Sequence, residues 1–324
     1  MQKPAFRLSL GLTAAALAGL LAAPEAALAG ARRGLAVCAE VIVPSLLPFM
    51  ILSGLLTGLG LPQLLARAFG GAAQRLFALP GETAAPLFLG LLGGYPVGAA
   101  ALADLTRRGE LTAEEAGRAL PFCNNTGPGF ILGAVGVAAF GSLRAGALLY
   151  LSHVLAALAV GLLGSIGRPR RGGFCRRPAL AVRSLPELLP ETVGRAAASM
   201  LRICAFAVFF SVLTALADAL GILPALCGAL SARSGLELHA VRALLGGVLE
   251  LGSGAAALRS LSPTGANLAL AAFVLGFGSL SVHCQTLAAV AGTEIRTARH
   301  FAGRLLHGAL SAALTLLFVR LLQI

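Results

Sequence analysis

The chain has 324 residues, of which 57% are hydrophobic and 12% charged, and its mean hydropathy is +0.88. Soluble domains typically carry roughly 25% charged residues, and a soluble body of this size could not hide so much apolar surface. The composition therefore excludes a soluble enzyme or binding domain and predicts an all-α, multi-span membrane protein. The net charge of +12 does not imply a nucleic-acid partner, because Arg collects in the cytoplasmic loops of membrane proteins and no aromatic residues interleave the basic runs. Cys38, Cys123, Cys175, Cys204, Cys227 and Cys284 show no CxxC spacing. They give no metal or disulfide framework and read as small core residues.

Lys3 and Arg7 precede an apolar run from Leu8 to Ala23. It reads as a retained first span, with a signal peptide ending near Ala27-Leu28-Ala29 as the alternative. Gly34 to Gly60 is the next apolar segment. It contains Glu40, and its Pro44 and Pro48 predict a kinked span. Pro62 to Leu79 mixes Arg67, Gln74 and Arg75 with Leu, Ala and Phe, as an interfacial amphipathic helix does. Thr83 to Leu105 is apolar but is interrupted by Gly93-Gly94-Tyr95-Pro96. Two half-helices around a breaker predict a re-entrant hairpin, and one kinked span is the alternative.

The segment Asp104 to Arg118 is charged and lies outside the bilayer. Thr112 followed three residues on by Glu115 has the spacing of a capping box. The decapeptide Pro121 to Phe130 comes next, with Asn124, Asn125, Thr126, Gly127, Pro128 and Gly129 inside it. It is polar and helix-breaking, yet it leads directly into the uncharged run Phe130 to Phe140. Unwound backbone inside a membrane persists only where protein or a watered cavity satisfies it, so a broken span with a ligand role is expected. Ala145 to Ile166 forms a further span. Arg168 to Arg183 then carries six Arg and no acid, which makes it a cytoplasmic loop.

The second half repeats this order. Ala197 to Gly221 reads as a span, an amphipathic segment runs to Leu236, and Leu244-Leu245-Gly246-Gly247 echoes Leu91-Leu92-Gly93-Gly94 before Glu250, Ser253 and Gly254. A polar interruption, Phe277 to Gln285, follows Ala266 to Gly276, and Phe301 to Leu322 is the last span. The expected organisation is an N-terminal span (1–33), a first gate-like repeat (34–141), a linking span and basic loop (142–194), a second gate-like repeat (195–292) and a C-terminal span (293–324). With both hairpins re-entrant there are about six spans, and the second repeat enters inverted. Of the 25 basic residues, 18, including Arg304, then fall on one side and 7 on the other. This predicts a cytoplasmic N-terminus and an external C-terminus. Inverted repeats with broken helices are a secondary-transporter architecture, with binding near the midplane.

The candidate substrate-binding residues are Gly93, Gly94 and Tyr95 at the first hairpin, and Asn124, Asn125, Thr126 and Gly127 at the first broken span. Arg202, Glu250, Ser253, Ser279, Ser281 and Gln285 are the candidates in the second half. The Asn-Thr cluster offers donors and acceptors beside glycines that permit close approach; the scattered Ser equally serve as interhelical glue. Glu250 is costly in a membrane unless paired or hydrated, and reads as a proton or Na⁺ site or as a partner of Arg202. Arg202 itself is either a carboxylate clamp or a snorkelling side chain. His153 and His307 read as packing residues. No P-loop, HExxH or GxSxG occurs, and the adjacent His283 and Cys284 point to different helix faces, so no enzyme is expected. No cofactor is implied.

Pro44-Ser45-Leu46-Leu47-Pro48-Phe49, Gly93-Gly94-Tyr95-Pro96-Val97-Gly98 and Asn124-Asn125-Thr126-Gly127-Pro128-Gly129 together resemble the YlbJ-type sporulation integral membrane proteins of the nucleoside-recognition gate-domain families. The resemblance covers nearly the whole chain. It implies a multi-pass protein of the outer forespore membrane, distantly similar to concentrative nucleoside transporters, that carries a small anion such as dipicolinic acid during endospore formation. A nucleoside or other small solute, or a non-transporting scaffold of a sporulation complex, are the alternatives. The partners implied are the lipid bilayer and either a second copy of the chain or other sporulation membrane proteins.

Overall fold

A computed structural model describes residues 3–168 and 184–323, so residues 169–183 of the expected basic loop lie outside the described part. The first apolar run forms α1 (Lys3–Ala22). Pro24 starts the next helix at its first position, where a missing N–H is harmless. That helix runs unbroken to Gly58 as α2 (Pro24–Val37), a π-helical turn π1 (Cys38–Ile42) and α3 (Val43–Gly58). The expected kink at Pro44 and Pro48 is thus accommodated within one 35-residue span. Ala27 to Ala29 lies inside α2. Gly60, with φ of +94°, turns the chain into α4 (Leu61–Phe77), and Gly221 with φ of +73° does the same at the matching point of the second half.

Next come α5 (Ala84–Gly93), α6 (Val97–Arg107) and α7 (Ala113–Cys123). The capping box expected at Thr112 and Glu115 is present. After the break at residues 124–128 the chain continues as a nine-residue π-helix, π2 (Gly129–Val137), and then α8 (Leu143–Ser165). The second half contains α9 (Leu185–Ala219), α10 (Ile222–Ser234), α11 (Leu238–Leu249), α12 (Leu251–Leu258), α13 (Gly265–Phe277), α14 (Leu280–Val290) and α15 (Ala298–Leu322). The break in the second hairpin falls at Glu250, three residues beyond the Gly246-Gly247 pair that suggested it.

Five helices among the described residues are long and apolar enough to cross a membrane, and six if the bent pair α4–α5 counts as one span. At 1.5 Å per residue, the arms α5 and α6 each reach only about 15 Å, half a hydrocarbon core of about 30 Å.

Small residues set the main contacts. A Cβ on Gly30 would lie 2.7 Å from the Ala215 Cβ, and one on Gly34 would lie 2.8 Å from the Val208 Cα. Further along, Gly54 faces Thr192 and Gly58 faces Leu188. The contacts run in opposite sequence directions, so the two 35-residue helices pack antiparallel along their length. The same logic joins α13 to α15, where Gly276 abuts Gly308 and Gly265 faces Val319. The principal core lies between π2, α8, α11, α12 and α13, and a second gathers α4 to α8.

Candidate functional site

Four breaks converge on one place: Gly94 to Pro96 between α5 and α6, residues 124–128 between α7 and π2, Glu250 between α11 and α12, and Gly278-Ser279 between α13 and α14. A cavity of about 40 Å³ lies among them. Its wall includes Tyr95 from the first break, Thr126, Gly127 and Phe130 from the second, and Glu250, Leu251 and Gly252 from the third. Val282 and Gln285 follow the fourth, while Ile42, Leu46 and Ile203 close it from the long antiparallel spans.

The first hairpin reaches this point because its glycines wrap the end of α7. A Cβ on Gly90 or Gly98 would lie 1.7 or 1.8 Å from the Cys123 carbonyl oxygen, so only glycine admits that approach. At the tip, Gly94 has φ of +73° and packs on the Gly127 backbone, and the Tyr95–Pro96 bond is cis. Tyr95 is 6% exposed, and its hydroxyl lies beside Thr126 and the Arg304 guanidinium.

Glu250 is the one charged residue among the described residues of the cavity wall. It caps α12, with Oε1 accepting from the Gly252 N–H at 2.9 Å and Oε2 from the Ser253 N–H at 2.5 Å. It is 3% exposed. A carboxylate at a helix N-terminus is favoured by the freed N–H groups and the helix dipole, which offsets part of the burial cost. Ser253 also contacts Ser211 on α9 at 3.3 Å.

Asn124 and Asn125 are fully buried but lie outside the cavity wall. The Asn124 carboxamide accepts from the Ala99 N–H at 3.3 Å and donates to Thr286 Oγ1 at 2.8 Å. Asn125 Nδ2 donates to the Phe122 carbonyl at 2.7 Å. Both side chains stitch the break to its neighbours, and an unwound segment within a membrane needs such partners for its polar groups. Thr126 Oγ1 donates to the Leu275 carbonyl at 2.9 Å, linking the two broken helices. Ser279 caps α14 by accepting from the Val282 N–H, and Ser281 accepts from Gln285 Nε2 at 3.4 Å. Arg202 is exposed on α9 and donates to Ser199 Oγ at 3.0 Å. It neither lines the cavity nor pairs with Glu250.

Among the expected residues, the structure thus brings Tyr95, Thr126, Gly127, Glu250 and Gln285 together at one wall, with Gly93, Gly94, Ser253, Ser279 and Ser281 behind it. Arg304 enters as a residue that sequence reasoning placed in a cytoplasmic rim. It is wholly buried on α15 and bonded to both broken helices, so it does not belong to the loop-charge count. Its spacing from His300 and His307, one helical turn either way, was the sequence signal for a buried polar stripe. No group of three or more His, Cys, Asp or Glu able to hold a metal ion occurs among the described residues.

The family model described as "Gate: Nucleoside recognition" matches residues 39–169, which takes in the elements from π1 through α8. The chain is 30% identical over 327 aligned residues to the sporulation integral membrane protein YlbJ of Bacillus subtilis, covering 93% of this chain and 79% of that protein. No solved structure matches. A gate-domain match across the first broken helix, together with 30% identity over nearly the full length, places the chain in the YlbJ family of sporulation integral membrane proteins.

Proposed function

We propose that this protein is a carrier for a small, polar, nucleoside-like solute, and that the cavity among the four breaks is its binding site in a closed conformation. The observation that carries this reading is the chemistry of the wall: among its described residues are a carboxylate (Glu250), a carboxamide (Gln285) and a buried phenol (Tyr95) around apolar side chains, and none is basic. Carboxylate and carboxamide groups suit the hydroxyls of a sugar and the edges of a base. A dianion such as dipicolinate would place two more carboxylates against Glu250, and the Arg202 expected to receive it lies elsewhere. The match to a nucleoside-recognition gate supports the same choice.

Small-molecule pockets usually measure roughly 300–1,000 Å³, so a cavity of about 40 Å³ must widen to admit a solute. We read the halves as inverted repeats of span, interfacial helix, re-entrant hairpin, broken helix and span, with the boundaries moved to 24–165 and 185–322. The antiparallel packing of the two 35-residue spans supports that inversion, and alternating access by movement of the hairpins follows from it. Glu250 is the group on which a coupling proton or Na⁺ would act.

Uptake into liposomes tests the reading. Purified protein should accumulate radiolabelled uridine faster than dipicolinate, and Glu250→Gln should cut uridine uptake about tenfold or more while remaining folded by gel filtration. Uptake of dipicolinate alone would replace the nucleoside reading, and uptake of neither would assign a non-transporting scaffold.

A further inference from the structure

Arg304 is absent from the cavity wall, yet it binds the backbone behind that wall on both sides. Its Nη1 shares its two hydrogens among acceptors that include the Asn124 carbonyl at 3.1 Å, Asn125 Oδ1 at 3.1 Å and the Pro121 carbonyl at 3.4 Å. Its Nη2 and Nε point toward the Leu275 and Phe277 carbonyls at 3.4 and 3.5 Å. These carbonyls are the acceptors released where α7 and α13 stop. The guanidinium carbon also sits 5.4 Å from the centre of the Tyr95 ring at the tip of the first hairpin. One side chain therefore touches three of the four breaks.

A hydrogen-bonded ring extends this arrangement. Arginine cannot accept a hydrogen bond, so in its 2.7 Å contact with Nη1 the Nδ1 of His307 is the acceptor. The proton of His307 then sits on Nε2, which donates to the His153 carbonyl at 3.0 Å. His153 in turn accepts the Thr126 N–H at Nε2, 3.3 Å away. The two imidazole rings lie 4.4 Å apart. The path from Arg304 through His307, His153 and Thr126 returns to Asn125 and so to Arg304, enclosing the break at residues 124–128. Among the described residues no carboxylate lies within ion-pair distance of Arg304, so the forked donor geometry, rather than a charge partner, accounts for an arginine here.

We propose that Arg304 is a positioning residue for the cavity. By bonding the backbone freed at both helix breaks, it sets the spacing of the two broken helices and hence the width of the site. The inference rests on the cavity being a solute site only for its effect on affinity; the geometric part stands alone.

Arg304→Lys keeps the charge and removes the fork. Hydrogen exchange of the full-length protein in detergent micelles should then accelerate about tenfold in peptides covering residues 121–130 and 274–282 together, with α2, α3 and α9 unchanged. His307→Gln, a milder change, should accelerate 121–130 and spare 274–282, where Arg304 keeps its bonds. In liposomes Arg304→Lys should raise the KM for uridine about tenfold with Vmax within about twofold. Unchanged exchange at either segment in Arg304→Lys, acceleration spread evenly over the chain, or lost Vmax at unchanged KM would each overturn the proposal. If the wild type moves no uridine, the carrier reading fails and the exchange measurements still decide the role of Arg304.

Discussion

Cys123 ends α7 with its carbonyl oxygen directed between two helices of the first hairpin, and the hydrogen atoms of Gly90 and Gly98 are what make room for it. A methyl group at Gly98 would sit 1.8 Å from that oxygen, against rigid backbone. Gly98→Ala should therefore cost about 1–3 kcal/mol through overpacking and lower the melting temperature in detergent. The control is Gly246→Ala, also within a helix, where nothing lies within 4 Å of the new methyl and the melting temperature should hold or rise. Equal losses for both would remove the close-approach argument. Glu250 belongs to the same scale. Replacing it by Ala strips the cap of α12, which costs about 1 kcal/mol, whereas Gln keeps an acceptor oxygen. Thermal melts should rank wild type above Gln and Gln above Ala, and a reversed order would mean that burial of the carboxylate outweighs its two N–H bonds.

The long spans are elements whose partner is chosen by small residues. Apolar side chains gain little from leaving lipid for a helix interface, so contact depends on how closely backbones approach. Gly30, Gly34, Gly54 and Gly58 place four such points along one face of the α2–α3 span, each against α9. The position of a Cβ at Gly54 lies 3.9 Å from the Thr192 Cβ, within the roughly 3.5–4.5 Å that a disulfide spans. The double variant G54C/T192C, with the native cysteines replaced, should cross-link on mild oxidation. Pairing G34C with T192C should not, because Gly34 packs on Val208 and Ser211. Cross-linking of the second pair alone would reverse the helix direction. Two π-helices also sit at this level. They face each other across a groove lined by Glu40, Pro44, Ser45, Phe49, Gly129 and Gly133 among others. Wide turns of this kind concentrate at functional sites.

At the scale of the whole molecule, inversion makes a prediction about sides. The N-terminal basic cluster and the loop 168–183 belong on the cytoplasmic face, and the C-terminus belongs on the other. Single cysteines introduced at Gly172 and Ile324, again in a chain lacking native cysteines, should react with a membrane-impermeant maleimide from opposite sides of sealed vesicles. Labelling of both from one side would remove the inversion. Moving Arg304 from rim to interior leaves the charge bias in place. The membrane class, the order of the elements and the position of three of the four breaks were legible in the chain, because long apolar runs, Gly-Pro breakers and caps such as Thr112 with Glu115 act over a few residues. The break at Glu250 was signalled only by the Gly246-Gly247 echo three residues earlier, and the capping carboxylate of Glu250 marks the start of α12. Asn124 and Asn125 were visible as polar residues in an apolar setting, but whether they face a solute or neighbouring backbone depends on what packs around them. That required Ala99, Phe122, Thr286 and Arg304, up to 180 positions away. Sequence alone determined that this is a polytopic helical protein with interrupted helices, since desolvation of the backbone in lipid leaves few other solutions. Tertiary structure decided which interrupted residues meet. It set Tyr95, Thr126, Glu250 and Gln285 around one cavity and buried Arg304 behind it, because side-chain convergence is fixed by long-range helix packing that no local pattern encodes.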